Sequence, residues 1–307
     1  MPPAAPTTSE VAVGTRAMPL LPAAAFVLVW SSGYIAGPAA VRAAAPLTVL
    51  GWRFVLAAAL GALVALALRR SPRISRPVLV RVAVIGLAMN AVQFSMMFLA
   101  FDRGLPAVLG SLFHALSPVL TALLAALLLH ERISLLQVGG FLLGVAGVLV
   151  VLGPEVEEAG GVAGVALGAA AMLMLSIGTL GQRWIGEEPD LLWSTVVQFA
   201  VSAPPVLLLG YLTEGAFPVE DPTVTAVALG YQVVVNSLLG LALLALLVRR
   251  AGSGAAASLF FLSPPVTAVL AWLILGETLG TRELVGLAVA VVGVGAATRT
   301  RQPARPP

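Results

Sequence analysis

The 307-residue sequence contains no cysteine and no lysine, only two histidines, and few charged residues, which make up 10% of the chain. Without cysteine there are no disulfides, thiolate metal sites or cysteine nucleophiles. Without lysine there is no P-loop phosphate site and no Schiff-base nucleophile. The histidines, His114 and His130, are too few for a histidine-rich zinc site. Neither a metal nor a cofactor is therefore expected.

Apolar residues make up 59% of the chain, far more than a soluble domain contains, which indicates an integral membrane protein. A membrane-spanning helix needs about 20 mostly apolar residues. Ten segments meet this requirement: 19–39, 47–68, 78–101, 105–129, 133–152, 161–183, 190–212, 223–248, 253–275 and 281–298. We expect flexible tails at 1–18 and 299–307. No signal peptide is expected, because no acidic-poor n-region with a cleavage site precedes the first span.

The basic residues, all 17 of them arginines, fall unevenly on the two membrane sides that ten crossings define. Thirteen lie on the side of both chain ends, and the other four are Arg42, Arg53, Arg103 and Arg282. Because basic loops stay in the cytoplasm, both termini of this multi-pass chain are predicted to be cytoplasmic. The arginines thus reflect topology, and no nucleic-acid partner is expected. Abundant alanine, glycine and arginine without lysine or cysteine favours a GC-rich genome and a bacterial plasma membrane.

Two stretches of the chain are related to each other. Residues 117–131 read SPVLTALLAALLLHE and residues 263–277 read SPPVTAVLAWLILGE, with nine identical positions and no gap. The same spacing of 146 residues pairs Asn90 with Asn236. It also pairs Gly140 with Gly286 and Gly147 with Gly293, and a shared serine-proline, glutamate and glycine register indicates an internal duplication.

The duplication predicts two five-helix repeats, residues 19–152 and 161–298, in an all-α membrane domain. Five is an odd number, so the second repeat must cross the membrane in the opposite orientation. Inverted repeats of this kind build many secondary transporters, whose substrate site lies near the midplane between the halves. A transporter is therefore the favoured class.

Over roughly residues 22–298 the sequence resembles the EamA family of the drug/metabolite transporter superfamily. The two SP…E stretches, the glycine-bearing helices after them, and Trp52-Arg53-Phe54 at the start of the second span carry this resemblance. It implies a basket of ten helices around a central cavity. It also implies small-molecule cargo, commonly amino acids or toxic compounds, and transport outwards.

Prolines interrupt corresponding spans of the two repeats, with Pro118 in the fourth span and Pro264 and Pro265 in the ninth. Proline bends a helix, and interrupted helices at matching positions are typical of transport sites. We predict hinges at these prolines. A role in packing alone is the alternative, since proline is common in membrane helices.

Polar and aromatic side chains inside the spans are candidates for lining a substrate cavity, because polar groups in a membrane tend to face protein or water. Their donors, acceptors and ring faces suit neutral, zwitterionic or aromatic cargo. The alternative is that amides and hydroxyls hold helices together. The predicted cavity residues are Trp30, Ser31, Tyr34, Asn90, Gln93, Ser111, His114, Ser176, Gln232, Asn236, Ser258 and Phe261.

Four ionisable residues have two interpretations each. His114 lies well inside a span, where it could exchange a coupling proton or serve as a neutral packing group. Glu131 and Glu277 end matching spans on opposite sides and precede new helices, so we predict that they cap helices or act as gates. Arg53 is expected to snorkel to the outer surface, with a contact to a substrate carboxylate as the alternative.

The glycines in the fifth span, Gly139, Gly140, Gly144 and Gly147, predict close helix packing. A dimer interface at these positions is a weaker alternative. A monomer and a homodimer are both compatible with the sequence.

The leading hypothesis is a secondary carrier in the lipid bilayer that exports a small metabolite by alternating access, as a facilitator or with proton coupling. An intramembrane enzyme is an alternative, but no Gly-x-Ser-x-Gly motif, paired buried carboxylates or metal-ligand cluster supports it. A non-transporting scaffold is another. A channel is disfavoured, because the sequence contains no charge ring or filter-like loop.

Overall fold

The computed structural model describes residues 18–154, 156–186, 189–251, 256 and 258–298. Their apolar runs form ten helical segments, numbered α1 to α10 in chain order: Leu20–Val41, Pro46–Ala67, Arg76–Asp102, Ala107–Leu129, Leu135–Leu152, Gly161–Ile185, Leu191–Glu214, Pro222–Ala251, Leu259–Leu275 and Thr281–Thr298. Within the described residues, nine of these are long and apolar enough to cross a membrane, and α9 is shorter. The all-α membrane fold is confirmed. The predicted tails lie outside the described residues, except for Met18.

Local sequence signals set several helix ends. Pro46 begins α2, since the first turn of a helix does not use the N–H that proline lacks. A capping box begins α5, where Ser134 Oγ accepts from the Gln137 N–H at 3.2 Å and Gln137 Oε1 accepts from the Ser134 N–H at 2.9 Å. His130 after α4 and Gly276 after α9 both adopt left-handed backbone. These two equivalent ends therefore terminate in the same way.

Two π-helical stretches occur at matching places in the repeats, Leu87–Val92 in α3 and Gln232–Leu239 in α8. The spacing of 146 residues that relates the repeats overlays these stretches and pairs Asn90 with Asn236. π-helical turns are rare and occur frequently at functional sites. Hydrophobic periodicity predicted only a continuous helix in each place.

Equivalent helices of the two repeats pack against each other in antiparallel pairs. Between α5 and α10, Gly140 lies against Gly293, whereas Gly147 lies against Ala290, so the contacts run in opposite directions along the chain. Helices α2 and α7 pack extensively as well. The second repeat is therefore inverted relative to the first. The glycines at these contacts bring two helices of the same chain together.

The serines of the two SP motifs make matching contacts between the repeats. Ser31 Oγ on α1 lies 3.0 Å from Ser263 Oγ on α9. Ser176 Oγ on α6 donates to the Ser117 carbonyl on α4 at 3.0 Å. The first helix of each repeat is thus held by the SP motif of the other repeat.

The predicted hinge prolines lie in two different local structures. Pro118 lies inside the α-helix Ala107–Leu129. Pro264 and Pro265 begin an α-helical stretch after the 3₁₀ turn Leu259–Leu262, which opens the described part of α9. Whether the helices bend at these prolines during function stays a prediction.

Candidate functional site

A cavity lies where the first repeat meets α8 of the second, with ten lining residues on α1, α2, α3 and α4 and one, Asn236, on α8. It encloses about 520 Å³ of space free of protein atoms, including its open part. The lining residues are Trp30, Gly33, Tyr34, Arg53, Gln93, Phe94, Met97, Phe98, Phe101, His114 and Asn236. The wall is thus mainly aromatic and apolar, with a few polar groups.

Several lining residues lie at a common depth in the helix bundle. Tyr34, Arg53 and His114 are about seven residues, and Gln93 about nine, from the helix end on the side of the α1–α2 connection. At 1.5 Å per residue this corresponds to about 10 to 14 Å. A hydrocarbon core is about 30 Å thick. The cavity therefore lies well inside the membrane-spanning part of the protein.

His114 of α4 lies between two aromatic rings of α1. Its ring centroid is 5.8 Å from that of Trp30 and 5.9 Å from that of Tyr34, and both pairs meet edge to face. This geometry is favourable for aromatic rings. It fixes the imidazole at the cavity wall, where its nitrogens can donate or accept a hydrogen bond.

Two side chains of the cavity lining carry a buried amide oxygen without a hydrogen-bond partner. Asn236 Nδ2 donates to the Val29 carbonyl at 2.6 Å and to Ser32 Oγ at 3.2 Å, so α1 holds the amide nitrogen. Within the described residues, Asn236 Oδ1 and Gln93 Oε1 are buried and have no hydrogen-bond partner. A buried acceptor without a partner costs about 1–3 kcal/mol. A donor group on a bound molecule would remove this cost.

Arg53 does not snorkel to the surface as expected, because its side chain is only 9% exposed. Its Nη1 donates to Gln232 Oε1 at 3.1 Å and its Nη2 to Ser237 Oγ at 3.5 Å, both on α8. The guanidinium also lies 5.0 Å from the ring centroid of Phe94, a cation–π contact. These partners on other helices hold the charge inside the protein. A single-helix pattern does not reveal them.

Phe101 closes the cavity toward the end of the bundle that carries the α3–α4 connection. Its ring packs so tightly against two glycines that a Cβ added at Gly37 would lie 3.0 Å from the ring, and one at Gly110 2.8 Å from it. Helix α1 packs against both α3 and α4 here. Phe101 and its two glycine neighbours therefore seal the cavity at this end.

Five of the twelve predicted cavity residues line this cavity: Trp30, Tyr34, Gln93, His114 and Asn236. The other seven lie elsewhere: Ser31, Asn90, Ser111, Ser176, Gln232, Ser258 and Phe261. Ser31 and Ser176 make the contacts between repeats described above, Gln232 holds Arg53, and Ser111 donates to a carbonyl of its own helix. Asn90 donates to Gln198 Oε1 on α7 at 3.4 Å. Phe261 packs against the core, and Ser258 is exposed.

The lining residues outside the predicted cavity set are Gly33, Arg53, Phe94, Met97, Phe98 and Phe101, and of these only Arg53 had a substrate contact as an alternative role. The sequence of α3 contains a pattern that could have indicated two of them, Met97 and Phe101. Gln93, Met97 and Phe101 recur at intervals of four residues and so share a helix face. Apolar residues at this spacing are equally typical of a core-facing stripe. Only the packing of α3 against α1 and α4 distinguishes the two.

Glu131 and Glu277 occupy equivalent positions in different environments. Glu277 accepts from the Ala107 N–H at 3.3 Å and so reaches the start of α4, in the other repeat, rather than the helix that follows it. Burial raises the pKa of the Glu277 carboxyl above its ordinary value of 4.5, with the Ala107 N–H and Arg42 acting in the opposite direction. Glu131 is exposed and pairs with Arg183 of α6 at 2.5 Å. The α5 helix after it carries its own capping serine.

The match to a known family reflects the two-repeat architecture. The sequence model of the EamA-like transporter family matches residues 18–153 and again residues 162–299, once in each repeat. The chain belongs to the EamA-like transporter family. The predicted family is thus confirmed. This EamA-like protein is a multi-pass membrane transporter with small-molecule cargo.

Curated relatives of this EamA-like chain carry transporter names. A "Probable amino-acid metabolite efflux pump" of Salmonella typhimurium is 27% identical over 87% of this chain and 90% of its own. An "S-adenosylmethionine/S-adenosylhomocysteine transporter" of Chlamydia trachomatis is 29% identical over 86% of this chain and 84% of its own. A chloroplastic WAT1-related protein of Arabidopsis thaliana is 28% identical, and the chain spans 47% of its length. A solved crystal structure has the same fold, with a TM-score of 0.65 at 22% identity, covering 90% of this chain and 96% of that one.

Proposed function

We propose that this EamA-like transporter is a secondary carrier that exports small metabolites, such as amino acids or toxic compounds, by alternating access. The observation that carries the proposal is the position of the cavity. It lies between inverted repeats, deep in the bundle, with one end sealed by Phe101. A site that opens to one side of the membrane at a time is what a carrier requires.

The inverted repeats supply two matching ways of closing the cavity. At the Phe101 end, α1 approaches α3 and α4. The equivalent motion of the second repeat brings α6 toward α8 and α9 and closes the opposite end. Helix α1 would move together with α9, and α6 with α4, because the SP serines join them. Bending at Pro118 and Pro264 would allow these movements.

The orientation of the carrier follows from its arginines. The positive-inside pattern supports cytoplasmic termini in a bacterial plasma membrane, and in this orientation the Phe101 end faces outward. The cargo would then enter from the cytoplasm, as export requires. The names of the relatives support metabolites with an amino-acid part as cargo, because one is called an amino-acid metabolite efflux pump and the other an S-adenosylmethionine/S-adenosylhomocysteine transporter.

Coupling and assembly follow from the lining of the cavity. No carboxylate belongs to its lining among the described residues. We propose facilitated diffusion, or proton coupling through His114, which belongs to the cavity lining. Residues of one chain are sufficient to form this lining, which fits a monomer as well as a homodimer.

The absence of native cysteine permits a direct test of alternating access. A single cysteine at Met97→Cys would line the cavity, and one at Leu142→Cys, where the side chain is 62% exposed on α5, serves as a control. A membrane-impermeant thiol reagent should label Met97→Cys from the side of the chain ends. Saturating cargo should shift labelling towards the opposite side.

Labelling of Met97→Cys from both sides at once would contradict a carrier and favour a channel. Labelling that never responds to any metabolite would favour the scaffold or enzyme alternatives. The Leu142→Cys control should give the same result with and without cargo, because that position faces away from the cavity.

A further inference from the structure

Arg53 is a buried cation without an ionic partner among the described residues. The ion pairs in this part of the chain involve Arg70, Arg183 and Arg282, all with side chains that are at least 41% exposed. Arg53 is 9% exposed and has only neutral partners. Unpaired charges in the interior of a membrane protein are costly, and they usually mark a ligand pathway. A bound anion would neutralise this charge.

The buried side-chain atoms without hydrogen-bond partners converge on one place. In the described residues there are four such atoms, and three of them, Arg53 Nε, Gln93 Oε1 and Asn236 Oδ1, belong to residues that line the cavity. The first is a charged donor and the other two are acceptors. The fourth atom, Thr267 Oγ1, lies outside the cavity lining. Residues of the cavity lining thus carry one cationic donor and two acceptors that are buried and have no partner.

We propose that the cargo carries a zwitterionic α-amino-acid group, with its carboxylate on Arg53 and its ammonium on Asn236 Oδ1 and Gln93 Oε1. This inference rests on the proposed carrier function and defines its substrate class. Gln232 and Ser237 engage the two Nη atoms of Arg53 and fix the guanidinium plane. The Nε–H remains free to donate to a carboxylate, which forms stronger hydrogen bonds with a cation than a neutral acceptor does.

The rest of the lining defines the remainder of the cargo. Trp30, Phe94, Met97 and Phe98 offer ring faces and a thioether, which favour an apolar or aromatic side chain. Cationic cargo without a carboxylate would be repelled by Arg53. An acid without an ammonium group would leave the two amide oxygens unpaired, and sites built for hydrogen bonds discriminate strongly against ligands that lack the partner.

Three molecules that share the methionine side chain test the proposal: L-methionine, L-methioninamide without the carboxylate, and 4-(methylthio)butanoate without the ammonium group. A panel of radiolabelled amino acids, nucleosides, sugars and cationic drugs first identifies a compound that the protein exchanges by counterflow in liposomes. The three molecules are then compared as competitors of that exchange. We expect each methionine analogue to bind at least about tenfold more weakly than L-methionine, as the loss of one charge-assisted hydrogen bond implies.

Substitutions in the protein test which residue binds the carboxylate of the cargo and which binds its ammonium group. Arg53→Gln should abolish the preference for L-methionine over L-methioninamide while keeping the preference over 4-(methylthio)butanoate. Asn236→Ala should weaken the preference for L-methionine over 4-(methylthio)butanoate, since only Gln93 Oε1 then remains for the ammonium group, and should keep the preference over L-methioninamide. Arg103→Gln removes an exposed arginine outside the cavity lining and should leave both ratios unchanged. If Arg53→Gln fails to fold, Arg53→Lys replaces it. This variant keeps the charge and should keep the preference for a carboxylate at reduced affinity. The comparison of the three molecules on the wild-type protein tests the zwitterion proposal in either case.

The outcomes separate this inference from the carrier proposal. Saturable exchange restricted to compounds without a carboxylate would overturn the zwitterion proposal and leave the carrier intact. Unchanged discrimination in Arg53→Gln would assign Arg53 a purely structural role and also overturn it. No exchange of any compound by the folded protein would overturn both.

Discussion

Gly140 on α5 faces α10 so closely that a single methyl group cannot be added without moving a helix. A Cβ built at this position would lie 2.6 Å from the Gly293 carbonyl oxygen and 2.7 Å from the Ala297 backbone nitrogen. Both are backbone atoms, so a side-chain rotation cannot relieve the overlap. The neighbouring Gly139 is exposed, and a Cβ there would meet nothing within 4 Å. The two residues therefore form a matched pair.

Gly140→Ala should destabilise the protein by about 1–3 kcal/mol, the usual cost of an extra methyl group in a well-packed contact. Gly139→Ala should instead stabilise it by about 0.5–1 kcal/mol, because alanine loses less backbone entropy in a helix than glycine does. The expected difference in the free energy of unfolding between the two variants is therefore about 1.5 to 4 kcal/mol.

Equilibrium unfolding in mixed micelles, with increasing SDS and helicity followed by circular dichroism, measures this difference. Reduced stability in Gly140→Ala with unchanged or increased stability in Gly139→Ala would support antiparallel packing of α5 on α10. Equal effects of the two substitutions would refute it. A loss of stability confined to Gly139→Ala would indicate that the other face of α5 makes the contact.

Three further predictions concern the helix ends and the hinges. The pKa of Glu277 is raised in the folded protein, so its contribution to stability should be fully present below 4.5 and be lost as the pH rises through the folded value. Glu277→Gln should remove this pH dependence in thermal melts, and an unchanged pH profile would contradict the assigned environment. Glu131→Gln should change the free energy of unfolding in SDS titrations by less than about 1 kcal/mol, because its pair with Arg183 is exposed; a larger loss would contradict this. Pro118→Ala should slow exchange in liposomes without weakening cargo affinity, whereas the exposed Pro204→Ala on α7 should leave the rate unchanged; equal rates in both would argue against a hinge.

The architecture was predictable because its signals are local or repeat at a fixed distance. Apolar runs of sufficient length define spans, and the SP…E stretches at a constant spacing reveal the duplication. An odd number of helices in each repeat then dictates the inversion. The antiparallel contacts between α5 and α10 follow from this logic. The π-helical stretches do not, because an extra residue shifts the phase of a hydrophobic stripe, and this shift is hidden in spans that are apolar on almost every face.

The cavity lining was only partly predictable, because it depends on which helix faces meet. Serines such as Ser31 and Ser176 are polar and deep in their spans, yet they donate to or contact the SP serines of a neighbouring helix. Arg53 lies near the start of its span, which predicts a side chain that reaches the surface, but hydrogen-bond partners on α8 hold it at the cavity. Phe101 was indistinguishable from an ordinary core residue until its ring was found between two glycines. Contacts between distant helices decide all of these cases.

Counterflow in liposomes tests the central claim, that cargo binds between the repeats and crosses the membrane. A panel of radiolabelled amino acids and metabolites is offered to the wild type, to Asn236→Ala and His114→Ala in the cavity wall, and to Ser111→Ala, whose hydroxyl bonds within its own helix. We predict saturable exchange by the wild type and Ser111→Ala, reduced in both cavity variants. Exchange that is equal in all four proteins would contradict the site, and no exchange by folded protein would contradict the carrier.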